Sequence, residues 1–113
     1  MINLACKRIT VEELLKCAFN LSKTEYSILK VLEKENDLDS EAISKALKRD
    51  LSTVQRNLKS LIEKDLVFRT QINYESGGYK FVYKRVKKEV IERKILGNLA
   101  NFEEKVKESL NKL

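Results

Sequence analysis

As far as Asp65 the apolar residues of this chain recur every three or four positions; around Gly77 and Gly78 they alternate; from Val86 the three-four spacing returns and runs to the last residue. The first spacing lines one face of an α-helix and the second one face of a strand. The chain is therefore written as four helices, one hairpin and a last helix, which makes the predicted fold mainly α with a small β-hairpin (α+β).

Each element carries its own local signals. Val11, Leu14, Leu15 and Ala18 mark a first helix over 11–19 with Thr10 as N-cap. Ser22 stands three residues before Glu25, the spacing of a capping box, and Tyr26, Leu29, Val31 and Leu32 continue a second helix to about Lys34. Asn36 and Asp37 break it. Asp39 or Ser40 can cap a short third helix through Leu47, with Ala42, Ile43, Ala46 and Leu47 facing inward, and Lys48, Arg49 and Asp50 form a tight polar turn. The fourth helix is expected to open at Ser52 in a second capping box with Gln55. Val54, Leu58, Leu61 and Ile62 share one side of it, and Ser52, Thr53, Arg56, Lys59 and Ser60 the other.

Two alternating segments, VFRTQIN and YKFVYKR, flank the turn YESGG, where Gly77 and Gly78 supply positive φ. Among the hairpin aromatics, Tyr74, Tyr79, Phe81 and Tyr83, most are expected to be core. Ile91, Ile95, Leu99, Phe102, Val106, Leu110 and Leu113 then mark one stripe on a helix about 40 Å long. So small a globule cannot bury such a helix along its whole length. A second copy of the chain is the natural cover, which makes Ile91, Ile95, Leu99, Phe102, Val106 and Leu110 the candidate dimer interface. Gly97 predicts a bend or a close helix contact.

At 113 residues one core suffices, so a single domain is expected over 1–113, with an N-terminal helix in 1–20, a core unit in 21–85 and a dimerisation helix in 86–113. No apolar run approaches the ~20 residues of a membrane span, and the first ten residues lack the apolar stretch of a secretory signal. A cytoplasmic protein is expected, with no membrane partner. The chain has no histidine and two cysteines, Cys6 and Cys17, which excludes a Cys/His zinc site and makes small buried hydrophobes the expected role of both thiols. Without histidine, a Gly-rich phosphate loop or clustered carboxylates, the chain is expected not to be an enzyme and to carry no cofactor. The net charge of +6 favours acidic partners, and its distribution is uneven: residues 48–85 hold 9 basic and 4 acidic side chains, whereas residues 1–47 hold 7 and 8.

The positive segment coincides with two short helices joined by a tight turn, the arrangement of a helix-turn-helix. A major groove about 12 Å wide admits one slender helix with Arg, Gln, Ser or Thr near its tip. Arg56 can donate a forked pair to guanine and Gln55 can pair with adenine; Ser52 and Thr53 at the helix N-terminus suit phosphate oxygens, as do Lys48, Arg49 and Lys59, and Ser60 shares the polar face. On the hairpin, Arg69, Lys80 and Lys84 are the candidate DNA contacts. Double-stranded DNA is the expected partner, and the nucleoid the expected place of work. A winged-helix protein-interaction module and a sequence-indifferent chromatin protein are the alternatives, separable from a regulator by salt sensitivity and by cognate against scrambled duplex.

The segments LSKTEYSILKVL, LDSEAISKAL, LSTVQRNLKSLIEKDLVFR and GGYKFVY, followed by the terminal helix, resemble the winged helix-turn-helix regulators of the MarR-like and TrmB-like groups of bacteria and archaea. The resemblance covers residues 21–85 well and the flanking helices loosely. It implies a winged helix-turn-helix with residues 52–59 as the recognition segment, 76–80 as the wing and the outer helices as a homodimer interface. Against that pattern a long basic wing and an appended effector domain are not expected here.

Overall fold

The computed structural model describes residues 8–113. Its elements follow the order α1 (Val11–Phe19), α2 (Lys23–Lys34), α3 (Ser40–Leu47), α4 (Leu51–Glu63), β1 (Val67–Asn73), β2 (Tyr79–Arg85) and α5 (Lys88–Asn111). Thr10, Ser22 and Asp39 each accept a backbone N–H three residues ahead, and Ser22 and Glu25 complete their reciprocal capping box. These caps satisfy donors that a helix start leaves orphaned and fix where each helix begins.

Buried side chains from α2, α3 and α4 meet in one core: Ile28 and Leu32 from α2, Ile43 from α3, and Val54, Leu58 and Leu61 from α4. Leu66 and Val67 extend it beneath the hairpin, and Leu15 and Phe19 of α1 pack against its edge. β1 and β2 pair antiparallel with Val67 opposite Arg85 and Asn73 opposite Tyr79. Gly77 and Gly78, at φ 96° and 85°, take the turn conformation that a side chain resists. The far edge of β2 bonds the α2–α3 connection: Asp37 N–H donates to the Tyr83 carbonyl and Tyr83 N–H to that of Leu38. The hairpin is thereby fastened to the helical core through both of its strands.

The structure differs from the sequence expectations at several points. Ala46 is exposed rather than inward, because three small or apolar neighbours already fill the short inner face of α3. Tyr83 is buried and Phe81 packs against the core, but Tyr74 and Tyr79 at the loop end are exposed, where the hairpin projects past the helices. The last helix starts at Lys88 rather than Val86 and continues unbroken through Gly97, where an added Cβ would meet nothing within 4 Å. Cys17 is half-buried with a free thiol, and Cys6 lies outside the described residues.

At 24 residues α5 is about 36 Å long, and the described residues are drawn out to 66 × 24 × 23 Å. The terminal stripe changes character along it. Ile91 is 7% exposed and belongs to this chain's own core, with Ile95 packed beside it, whereas Leu99, Phe102 and Leu110 are 40%, 46% and 61% exposed. Ile91, expected at the interface, is thus packed within its own chain. Between α1, α2 and α5 lies an apolar groove of about 630 Å³ lined by Leu14, Leu15, Leu29, Ile95 and Leu99 among others. No helix among the described residues is long and apolar enough to cross a membrane.

Candidate nucleic-acid interface

α4 owes its placement to the turn before it. Lys48 ends α3 in the left-handed region (φ 54°, ψ 44°), its N–H donating to the carbonyls of Ser44 and Lys45. The Ser44 hydroxyl donates to the Arg49 carbonyl and the Arg49 N–H donates to the Ser44 carbonyl, closing the turn. Lys48 and Arg49 are exposed on it.

The cap of α4 corrects the sequence expectation. Asp50 rather than Ser52 is the N-cap, so the helix opens at Leu51 and the Ser52–Gln55 capping box does not form. The Asp50 carboxylate accepts from the Ser52 hydroxyl at 2.6 Å, the Thr53 hydroxyl at 2.8 Å and the Thr53 N–H at 3.2 Å. A carboxylate outcompetes a hydroxyl for this place because it brings a full negative charge to the positive end of the helix. The hydrogen bonds from Ser52 and Thr53 hold its pKa down at about 2. The Ser52 and Thr53 hydroxyls, expected to meet phosphate, are donated to Asp50 in the free chain.

Beyond the tip, Gln55, Arg56 and Lys59 are exposed. Arg56 spends one long contact on the Thr53 hydroxyl (3.4 Å), leaving most of its five donors free. Ser60 is placed differently from its expectation: half-buried, it donates its hydroxyl to Glu25 at 2.9 Å, and so it faces the protein. Opposite, Val54, Leu58 and Leu61 are buried, so one side of α4 is committed to the core and the other is open.

On the hairpin, the Arg69 guanidinium stacks on the Phe81 ring with 4.0 Å to its centroid. Lys84 lies 3.6 Å from the Asp37 carboxylate, which draws its charge toward the protein. Lys80 is half-buried near the turn, and the loop itself carries Glu75. The α3–α4 turn and the outer face of α4 thus gather Lys48, Arg49, Gln55, Arg56 and Lys59, whereas Arg69 and Lys84 on the hairpin are each drawn to a neighbour, Phe81 and Asp37.

The sequence did not reveal Asp50 as the cap of α4, nor the contacts that Asn57 and Glu25 make between α2 and α4. Asn57 accepts from the Ser22 hydroxyl at 3.2 Å and donates to the Thr53 carbonyl at 2.8 Å; Glu25 is only 5% exposed. A signal existed for Asp50, which stands three residues before Thr53 as Ser52 does before Gln55. Among the described residues no cluster could hold a metal ion.

Residues 15–89 match the family of the sugar-specific transcriptional regulator TrmB. An uncharacterised protein of Methanocaldococcus jannaschii is 29% identical over 76% of this chain, which spans 65% of that relative's length. A possible transcriptional regulator of Methanosarcina mazei superposes with a TM-score of 0.83 at 38% identity, over 99% of this chain and 95% of that one. MepR of Staphylococcus aureus, solved as a mutant bound to an oligodeoxyribonucleotide, shares the fold at 18% identity, with a TM-score of 0.53 over 90% of this chain and 77% of that one.

Proposed function

Because the chain belongs to the TrmB family of transcriptional regulators, which are not enzymes, we propose that it binds double-stranded DNA sequence-specifically as a homodimer, with α4 in the major groove. The observation that carries this reading is the two-sidedness of α4: Val54, Leu58 and Leu61 are buried on one side while Gln55, Arg56 and Lys59 are exposed on the other. Arg56 supplies the forked donors that recognise guanine, and Gln55 the donor and acceptor that recognise adenine. Lys48, Arg49 and Lys59 contact phosphates, which orient the protein and make its affinity salt-dependent. Arg69 and Lys80 add weaker contacts from the wing, and Lys84 less because of Asp37. Ser52 and Thr53 act through the shape of the tip, and Ser60 makes no contact.

Leu99, Phe102, Val106 and Leu110 on the far part of α5 form the interface with the second copy. They are exposed in the single chain, and such a stripe is covered at lowest cost by its own two-fold mate. Two reading helices about 34 Å apart then match successive turns of one DNA face. Such a protein works where the genome is, in the nucleoid.

Selection of bound genomic fragments provides the duplex for a test. Arg56→Ala is expected to lower discrimination between selected and scrambled duplex by about 1–3 kcal/mol, while Lys59→Ala weakens both alike and reduces the salt slope by about 1. Unchanged binding in both variants sinks the assignment of α4. Binding indifferent to sequence leaves a chromatin protein, and absence of salt-dependent binding leaves a protein-interaction module.

A further inference from the structure

Three turns of α4 are hydrogen-bonded to the start of α2 by side chains that the proposed base contacts do not use. Glu25, the third residue of α2, accepts from the Ser22 N–H at 3.0 Å through one oxygen. Through the other it accepts from the Ser60 hydroxyl and the Lys64 ammonium, both at 2.9 Å. Lys64 also donates to the Asn20 carbonyl at the end of α1, at 2.9 Å. One turn nearer the tip, the Ser22 hydroxyl donates to Asn57, whose amide donates to the Thr53 carbonyl.

On the helical wheel Asn57, Ser60 and Lys64 form a stripe of their own, between the packed stripe of Val54, Leu58 and Leu61 and the open stripe of Gln55, Arg56 and Lys59. Apolar packing is non-directional and tolerates some rotation of a helix about its axis. Hydrogen bonds are directional and weaken steeply when misaligned. A rotation of α4 by about 20° carries a side-chain end, about 6 Å from the axis, through about 2 Å. That displacement is larger than the range over which a forked donor pair keeps its bonds.

We propose that Glu25 is a positioning residue for base recognition: through Ser60 and Lys64 it fixes the rotation of α4, and so determines whether Arg56 and Gln55 meet base edges. The proposal rests on α4 being the reading helix. Burial alone would raise the pKa of Glu25, but the Ser22 amide, the Lys64 ammonium and the Ser60 hydroxyl more than offset this and hold it below its ordinary value. The carboxylate is therefore charged at neutral pH, the form in which it accepts all three bonds.

A purely stabilising role makes a different prediction. Replacing a buried ion pair by apolar side chains of similar volume is often neutral or stabilising, so stability and positioning can be separated. In the variant Glu25→Met, Ser60→Ala, Lys64→Met, melting is expected to fall no further than in Glu25→Ala, which gives up the same capping bond from the Ser22 N–H and leaves Lys64 without its carboxylate. The affinity ratio of selected over scrambled duplex should fall about tenfold or more, with scrambled duplex bound nearly as before. Residual dipolar couplings of backbone amides should show α4 rotated relative to α2. A wild-type ratio, or unchanged couplings, overturns the proposal. Should the triple variant not fold, Glu25→Gln measured well below its melting temperature serves instead: a reduced ratio supports positioning and an unchanged one overturns it. If wild-type protein itself prefers no duplex, the reading of α4 fails and takes this inference with it, and the couplings still report whether the carboxylate sets the helix orientation.

Discussion

Val54, Leu58 and Leu61 on α4 are buried, whereas Leu99, Phe102 and Val106 on α5 recur with comparable spacing and are exposed. Both helices obey the same rule of one apolar face. The first is covered by α2 and α3 of its own chain; the second meets α1 as far as Asn98, which donates to the Ala18 carbonyl, and leaves Leu99, Phe102 and Val106 partly open. The difference teaches that periodicity states that a face needs covering, and contact with the rest of the fold decides what covers it. On α4 the covered face makes the opposite face rigid and available; on α5 the uncovered face is itself the available one.

Four measurements sharpen or break that contrast. Leu58→Ala removes a fully buried side chain and should cost about 3 kcal/mol, seen as a lower urea midpoint. A loss no greater than that of Leu110→Ala would erase the distinction between the helices. Phe102→Glu places a charge in the exposed stripe and should raise the dimer dissociation constant more than tenfold, about 2 kcal/mol, by sedimentation equilibrium; wild-type protein that sediments as a monomer defeats the proposed dimer. Gly97→Ala should stabilise α5 by about 1 kcal/mol, because an added Cβ meets nothing within 4 Å in this chain. Weaker dimerisation in that variant would reveal a partner backbone packed against the glycine.

The smallest effect concerns acid. The pKa of Asp50 is lowered from 3.8 to about 2, so its stabilisation of the folded state is complete above the unfolded value and disappears as pH falls through the folded one. Melting temperature against pH should therefore decline more steeply between about pH 4 and pH 2 in wild type than in Asp50→Asn. Parallel curves would show that this cap adds nothing to α4.

Much of the fold was legible because local and long-range signals agree. Ser22 with Glu25, Thr10 and Asp39 announce helix starts, and Gly77 with Gly78 announces the hairpin. The N-cap of α4 was misplaced by two residues, Ser52 for Asp50, because both are residue types that cap a helix and both stand at its start. Of the candidate site, exposure of Arg56, Gln55 and Lys59 follows from helical spacing alone. The inward donation of Ser60 does not: its acceptor, Glu25, is 35 residues away, and such a pairing has no local pattern. Tyr79 illustrates a third limit, since alternation along a strand says which residues share a side, and how far the hairpin overhangs the core decides which are covered.

The unbroken length of α5 has a mechanical consequence. Packed into its own core at Ile91 and Ile95, and held to α1 by the Asn98 amide on the Ala18 carbonyl, it works as a pointer whose far end magnifies whatever happens at its base. A tilt of about 5° at Ile91, about 30 Å from the tip, swings that tip by about 2.6 Å, most of the rise of one base pair. In the proposed dimer, a single methylene added or lost beneath Ile91 therefore alters the half-site spacing the pair tolerates, without touching any residue that meets a nucleotide.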